Sequence, residues 1–284
     1  MIPVVAGVLA SVHTGGPMVT HVPVPPLPGA HARAMSLLMN LDSSMAEVSA
    51  IIEGDPGLTA SMLRAANSAA SGTNTPIVRV ADALVRIGFR NARSLVVATL
   101  LRAQSDGLSE SGINLGEFWD HLLATGMIAV AASPPGDVRA AAFTAGMLHD
   151  VGRLAMAAVA PAEYSRVVEL ARDGIPTLVA EREVFGTDHI ETGIVAASSW
   201  SLPEDLTNAI STHHTPGDDP VSMAVSTARR IAAMLGYGDG VLPPNHEGLI
   251  EEAQENDVQV LASLGGPAAL ARRVAWFRGA LVAA

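Results

Sequence analysis

No cysteine occurs anywhere in this chain, and that one absence removes disulfides, thiolate metal ligands and thiol nucleophiles together. Lysine is missing as well: all 17 basic residues are arginine, so Schiff-base chemistry and a P-loop lysine are excluded. Aromatic residues make up only 4% of the chain, which obliges the core to be built from Ala, Val, Leu, Ile and Met and favours closely packed helices. Long apolar runs are also lacking. The opening MIPVVAGVLASVHTGG has no positive n-region, and no later uncharged stretch spans a bilayer, so the expectation is a cytoplasmic protein without membrane insertion. Positive charge is scarce: 17 basic residues against 28 acidic leave a net charge of −11, which opposes the attraction to phosphate backbones that dominates nucleic-acid affinity. Nucleic acid is therefore not an expected partner.

What is present is a globular composition, 49% hydrophobic and 16% charged over 284 residues, enough for one substantial core. Prolines crowd residues 1–29, with the run VPVPPLPG, and predict an extended lead. A helical domain is expected over residues 30–235, and an acidic loop with a helical extension packing on that core over 236–284.

Apolar spacing from Ser36 to Ile52 predicts two short helices broken at Asp42-Ser43, and Asp55-Pro56 supplies an N-cap and a first helical residue for the next. Ile77–Ile87 and Ala92–Arg102 flank Gly88-Phe89 in a helix-turn-helix outline, for which the acidic charge favours core packing over DNA binding. Helices are further expected over Phe118–Ala132, Arg139–Ala158, Pro161–Asp173, Pro176–Phe185 and Val221–Leu235. Ser201 and Glu204 fit a capping box launching a helix towards His213-His214, and Leu270, Val274, Phe277 and Leu281 share one face of a terminal helix. No segment reads as a strand, so the fold class is all-α.

Five histidines, His121, His149, His189, His213 and His214, fall on or beside these helices, and Asp150 adjoins His149 within the apolar stretch Gly146–Gly152. A carboxylate there is costly unless it is ion-paired with an arginine or bound to a cation. Imidazole and carboxylate together suit one divalent transition metal, Fe, Mn, Zn, Ni or Co, and bundles build such sites from several helices. His246, in a proline-rich acidic loop, has no companion. Asn67 reads as a buried amide bonding to loop backbone, and Trp119 and Trp200 as core anchors.

The ordered series Ile52–Leu58, Leu63–Ser68, Ala83–Gly88, Phe118–His121, Ala145–Gly152, Glu183–Gly186, His189, Trp200–Pro203 and His213–Pro216 resembles the HDOD domain, the HD-related output domain of bacterial signalling proteins. The resemblance covers residues 23–235 and implies an HD-type helical bundle acting as a regulatory module through a signalling protein partner or a small ligand such as a nucleotide. Related HD and HD-GYP hydrolases imply the alternative, a metal-dependent phosphohydrolase acting on a nucleotide or cyclic dinucleotide. Carried over position by position, His121, His149, Asp150, His189, His213 and His214 match their ligand pattern. The departures are Gly152-Arg153 where HD-GYP enzymes have Gly-Lys, Arg229 where a closing Asp is expected, and Thr215–Asp219 in place of the GYP loop. Asp218 and Asp219 are the local candidates to replace the missing carboxylate. These departures favour a module that binds over one that turns substrate over.

Overall fold

Ser44 opens the first helix, α1 (Met45–Glu53), of the computed structural model: its hydroxyl accepts the Glu47 N–H, and the Glu47 carboxylate accepts the Ser44 N–H. Residues 43–68, 76–103, 108–215, 217–242 and 255–281 are described, together with Val22, His31, Ala34 and Leu37. The proline-rich lead, all but Leu37 of the first short helix expected after Ser36, and His246 lie outside them.

Asp55 caps α2 (Pro56–Ser68) as its sequence context predicts, Oδ1 accepting the Leu58 N–H at 2.9 Å. Gly88, at φ 83°, separates α3 (Val80–Ile87) from α4 (Phe89–Arg102). After a 3-10 turn at Leu108–Glu110, Asn114 caps α5 (Leu115–Ala132), followed by α6 (Asp137–Leu148), α7 (Val151–Val159), α8 (Pro161–Arg172) and α9 (Thr177–Phe185). The chain continues through α10 (His189–Ser199), α11 (Glu204–Thr212), α12 (Pro220–Met234), α13 (Glu255–Ser263) and α14 (Pro267–Leu281). The fold is all-α, with no strand among the described residues. None of the described helices is long and apolar enough to cross a membrane.

Helix α5 is the axis of the bundle, packing against both α6 and α12. Helix α7 lies against α10, and α14 lays Leu270, Val274, Phe277 and Leu281 on α2 and α5, the face its periodicity marks. With few aromatics, close approach depends on small residues. A Cβ on Gly146 would sit 2.6 Å from the Gly126 Cα, so α5 and α6 meet backbone to backbone; a Cβ on Gly152 would sit 1.9 Å from the His189 carbonyl oxygen, so α7 and α10 do too. These two contacts bracket the His149-Asp150 doublet.

Three local expectations are corrected. The single helix expected over Arg139–Ala158 breaks at His149-Asp150, with Asp150 at φ −102° and ψ 18°. Residues 142–157 are buried without interruption, so hydrophobic periodicity carries no mark of the break. Ser201 does not cap the next helix. It stands at φ 52° and ends α10 in a Schellman arrangement, Ser201 N–H to Ser198 O at 3.0 Å and Leu202 N–H to Ala197 O at 2.9 Å, while Pro203 precedes α11. Asn67 bonds the Ile77 backbone in both directions as a loop-binding amide should, yet it is exposed rather than buried.

Gly152→Ala is expected to cost on the order of 3 kcal/mol or more, because the clash is with backbone that cannot rotate away. Gly279→Ala on the exposed side of α14 meets nothing within 4 Å and should instead stabilise by about 0.5 kcal/mol. Urea unfolding midpoints of the two variants check both signs at once.

Candidate metal centre

The six residues singled out by sequence arrive from four places in the bundle. His121 lies on α5, His149 and Asp150 occupy the α6–α7 break, His189 opens α10, and His213-His214 follow α11. The N-cap Asp188 fixes the start of α10, its Oδ1 accepting the N–H groups of Ile190 and Glu191, which places the ring of His189 at the helix mouth.

Backbone and carboxylate acceptors set the tautomers. His121 Nδ1 donates to Tyr237 O at 3.1 Å, His149 Nδ1 to Gly146 O at 2.7 Å, His213 Nδ1 to Ile210 O at 2.7 Å, and His189 Nδ1 to Glu181 Oε2 at 2.6 Å. A proton held on Nδ1 leaves the lone pair on Nε2, and those Nε2 atoms converge. His121 faces His149 at 3.1 Å, and His189 faces His213 at 3.2 Å and His214 at 3.1 Å. Asp150 lies between the two sets, Oδ2 at 3.3 Å from His149 Nε2 and Oδ1 at 3.4 Å from His189 and 3.3 Å from His213. Neither Asp150 oxygen makes a well-formed hydrogen bond.

Lone pairs aimed at one another across such distances repel unless something positive lies among them. Two groups meet that description and share Asp150: Asp150 with His189, His213 and His214, and Asp150 with His121 and His149. Four of these donors, His121, His213, His214 and Asp150, are held in the protonation state a metal requires. Burial pushes His121 down to about 4, with His149 adding to the effect, and pushes His213 down to about 3 against the pull of Asp150. Burial also drives His214 down, with Arg229 contributing. For Asp150, burial works against ionisation, but Arg153 and His149 outweigh it and hold the carboxyl well below its usual range. Nitrogen and oxygen donors of this kind fit a divalent transition metal.

Four further residues complete the surroundings: Arg153 and Arg229, which the sequence marks as departures from the HD-GYP pattern, and Glu181 and Asp239, which it does not mark. Glu181 accepts from the His189 backbone N–H and from Tyr164 Oη as well as from the His189 ring. Arg153 is fully buried, with Nε 3.3 Å from Asp150 Oδ1 and Nη1 3.0 Å from Asp239 Oδ2. Asp150 therefore has the arginine partner considered for it and also faces the histidines. Arg229 is buried on α12 and stands close enough to His214 to oppose its protonation. Neither substitute carboxylate joins the cluster: Asp219 caps α12 through the Val221 and Ser222 N–H groups, and Asp218 is exposed.

A bundle that gathers histidines and a His-Asp doublet from separate helices is of the HD type. A family model of the HDOD domain matches residues 24–216, and the chain belongs to that family. An HDOD domain protein with unknown function from Geobacter sulfurreducens is 23% identical, with a TM-score of 0.70 over 92% of this chain and 94% of that one. A Shewanella amazonensis SB2B protein named "Putative phosphohydrolase" is 28% identical, with a TM-score of 0.63 over 90% of this chain and 92% of that one. An uncharacterized protein of Treponema pallidum (strain Nichols) is 26% identical over 226 residues, which are 78% of this chain but 44% of that protein. The chain thus spans less than half the length of that relative.

In the metal-free protein, His121 and His213 remain neutral down to about 4 and about 3, whereas imidazoles of the unfolded chain titrate near 6.5. Below that pH the unfolded state binds more protons, so stability falls on acidification through this window. Denaturant midpoints of chelator-treated protein are expected to drop steadily from neutral pH towards pH 4; a flat profile would contradict the assigned neutral rings.

Proposed function

We propose that this protein is a regulatory module whose His/Asp cluster holds one divalent transition metal as a closed structural centre, and that it relays a signal by binding a protein partner rather than by hydrolysis. The observation that carries this reading is enclosure. His121, His149, Asp150, His189 and His213 are all buried, and the half-buried His214 has the Arg229 guanidinium beside it. A catalytic metal keeps an open position for water and substrate, whereas a structural one is closed by protein ligands.

Charge supports a single ion. Asp188 is paired with Arg182, and three further buried carboxylates, Asp150, Glu181 and Asp239, surround the buried guanidinium of Arg153, which leaves two negative charges beside the imidazoles. One dication cancels that charge; two would leave a positive interior without counter-ions. The metal would draw its ligands from Asp150 and the surrounding histidines. Bound there, it would supply cross-linking of helices α5, α6, α10 and α11. Glu181, bonded to the far nitrogen of His189, acts as the orienting carboxylate behind a ligand. A module joined to other units also suits the Treponema pallidum relative, most of whose length lies outside the matched region.

The second reading is a metal-dependent phosphohydrolase, suggested by the name of the Shewanella amazonensis protein and by the donor set itself. Elemental analysis of the purified protein should find close to one equivalent of Mn, Fe, Co, Ni or Zn, and Glu181→Gln should weaken retention of that metal roughly 10- to 100-fold. Hydrolysis of cyclic di-GMP or bis-p-nitrophenyl phosphate with added Mn or Fe should equal that of a His149→Ala/Asp150→Ala double variant. Turnover abolished by that double change would establish the hydrolase instead.

A further inference from the structure

A second site lies away from the histidines. Of the 17 arginines in an otherwise acidic protein, six (Arg86, Arg90, Arg93, Arg139, Arg272 and Arg273) line a single cleft of about 1320 Å³. The cleft is bounded by the α3–α4 junction, the α5–α6 hairpin and α14, and among the described residues no Asp or Glu lines it. Four of the other arginines, Arg153, Arg182, Arg230 and Arg278, each contact a carboxylate. Among the described residues no carboxylate lies within 4.0 Å of Arg86, Arg90, Arg272 or Arg273, and all four are exposed. Mutual repulsion of so many cations is costly unless an anion enters, and a concave wall concentrates their field.

Donors and flat apolar faces are interleaved with this charge. Arg93 lies over the Phe89 ring, 5.7 Å from its centroid, and Trp276 also lines the cleft. Two N–H groups at the cleft, Arg139 Nε and Trp276 Nε1, are buried and have no hydrogen-bond partner. Arg139 is itself held in place, its Nη2 donating to Ser133 O at 2.9 Å. Guanidiniums suit phosphate oxygens, and an aromatic face beside a guanidinium suits a planar base.

We propose that this cleft is a binding site for a nucleotide carrying two or more phosphates, its phosphates taken by the arginines and its base stacked on Trp276 or Phe89. An acidic peptide would use the charge but not the aromatic faces, and a nucleic-acid polymer would run beyond the cleft onto a surface of net charge −11. The site is separate from the His/Asp cluster. None of the six cluster residues lines the cleft: along α5 Met127 is six residues from His121, about 9 Å of helix, and along α6 Thr144 is five from His149, about 7.5 Å.

Calorimetry on the full chain with GTP, ATP, pyrophosphate, guanosine, a polyglutamate peptide and a single-stranded oligonucleotide tests the assignment. Expected are saturable binding of GTP or ATP that weakens as salt is raised, weaker binding of pyrophosphate, none of guanosine, and quenching of tryptophan emission that Trp276→Phe removes. Arg90→Ala and the pair Arg272→Ala/Arg273→Ala, all at exposed positions, should each reduce affinity at least tenfold with unchanged circular dichroism. His214→Ala should bind the nucleotide as the wild type does. The proposal is overturned if neither nucleotide binds, or if pyrophosphate, the peptide or the oligonucleotide binds as tightly as GTP. Loss of binding in His214→Ala with retention in the arginine variants would overturn it too, by placing the ligand at the metal centre.

Discussion

The buried charge of Asp150 is the constraint around which this bundle is arranged. An isolated carboxylate in a protein interior costs several kcal/mol even after relaxation, and Asp150 is fully enclosed yet held ionised. Arg153 meets one of its oxygens from the next turn of α7, but that guanidinium is itself buried and divides its charge with Asp239. The remainder of the compensation has to come from the space between the histidine Nε2 atoms. The two glycine crossings follow from the same requirement: without backbone contact at Gly126–Gly146 and Gly152–His189, α5 and α10 could not bring their rings to a carboxylate on the α6–α7 break.

How legible this was in the sequence depended on whether a feature left a local trace. Helices with their own caps, such as α2 behind Asp55 or α12 behind Asp219, could be placed to within a residue or so. The break at Asp150 could not, because both sides of it are uniformly buried and hydrophobic periodicity carries no mark of it. Ser201 misled for a related reason. A serine three residues before a glutamate satisfies a capping box on paper, but the end of α10 had already claimed it as a left-handed residue.

The same distinction holds for the site. The six candidate ligands were visible because residue type and order resemble an HDOD domain, and the fold brings all six together. Glu181 and Asp239 were not visible as site residues. Glu181 sits eight positions before the histidine it orients, and Asp239 lies in a glycine-rich turn beyond the expected edge of the domain. A carboxylate in either context is indistinguishable from a solvated one until the chain is folded. The arginine cleft was hidden more thoroughly, since its residues come from three separated stretches and the net charge of the chain points the other way.

The two halves of the molecule differ in how they treat charge, and this separates what each can do. At the His/Asp cluster every charged side chain is buried and has a counter-charge or a donor set around it, an arrangement that resists exchange with solvent and favours permanence. At the cleft Arg86, Arg90, Arg272 and Arg273 are exposed with no carboxylate within ion-pair distance among the described residues, so binding there can be fast, salt-sensitive and reversible. Helices α5 and α6 run through both regions and touch backbone to backbone between them, at Gly126 and Gly146. Contact of that kind leaves no side-chain layer to absorb a displacement, so the rings of His121 and His149 and the cleft wall at Met127 and Phe143 belong to one stiff unit. A centre that cross-links α5 to α6 would thereby also hold the wall of the cleft built on the other end of the same pair.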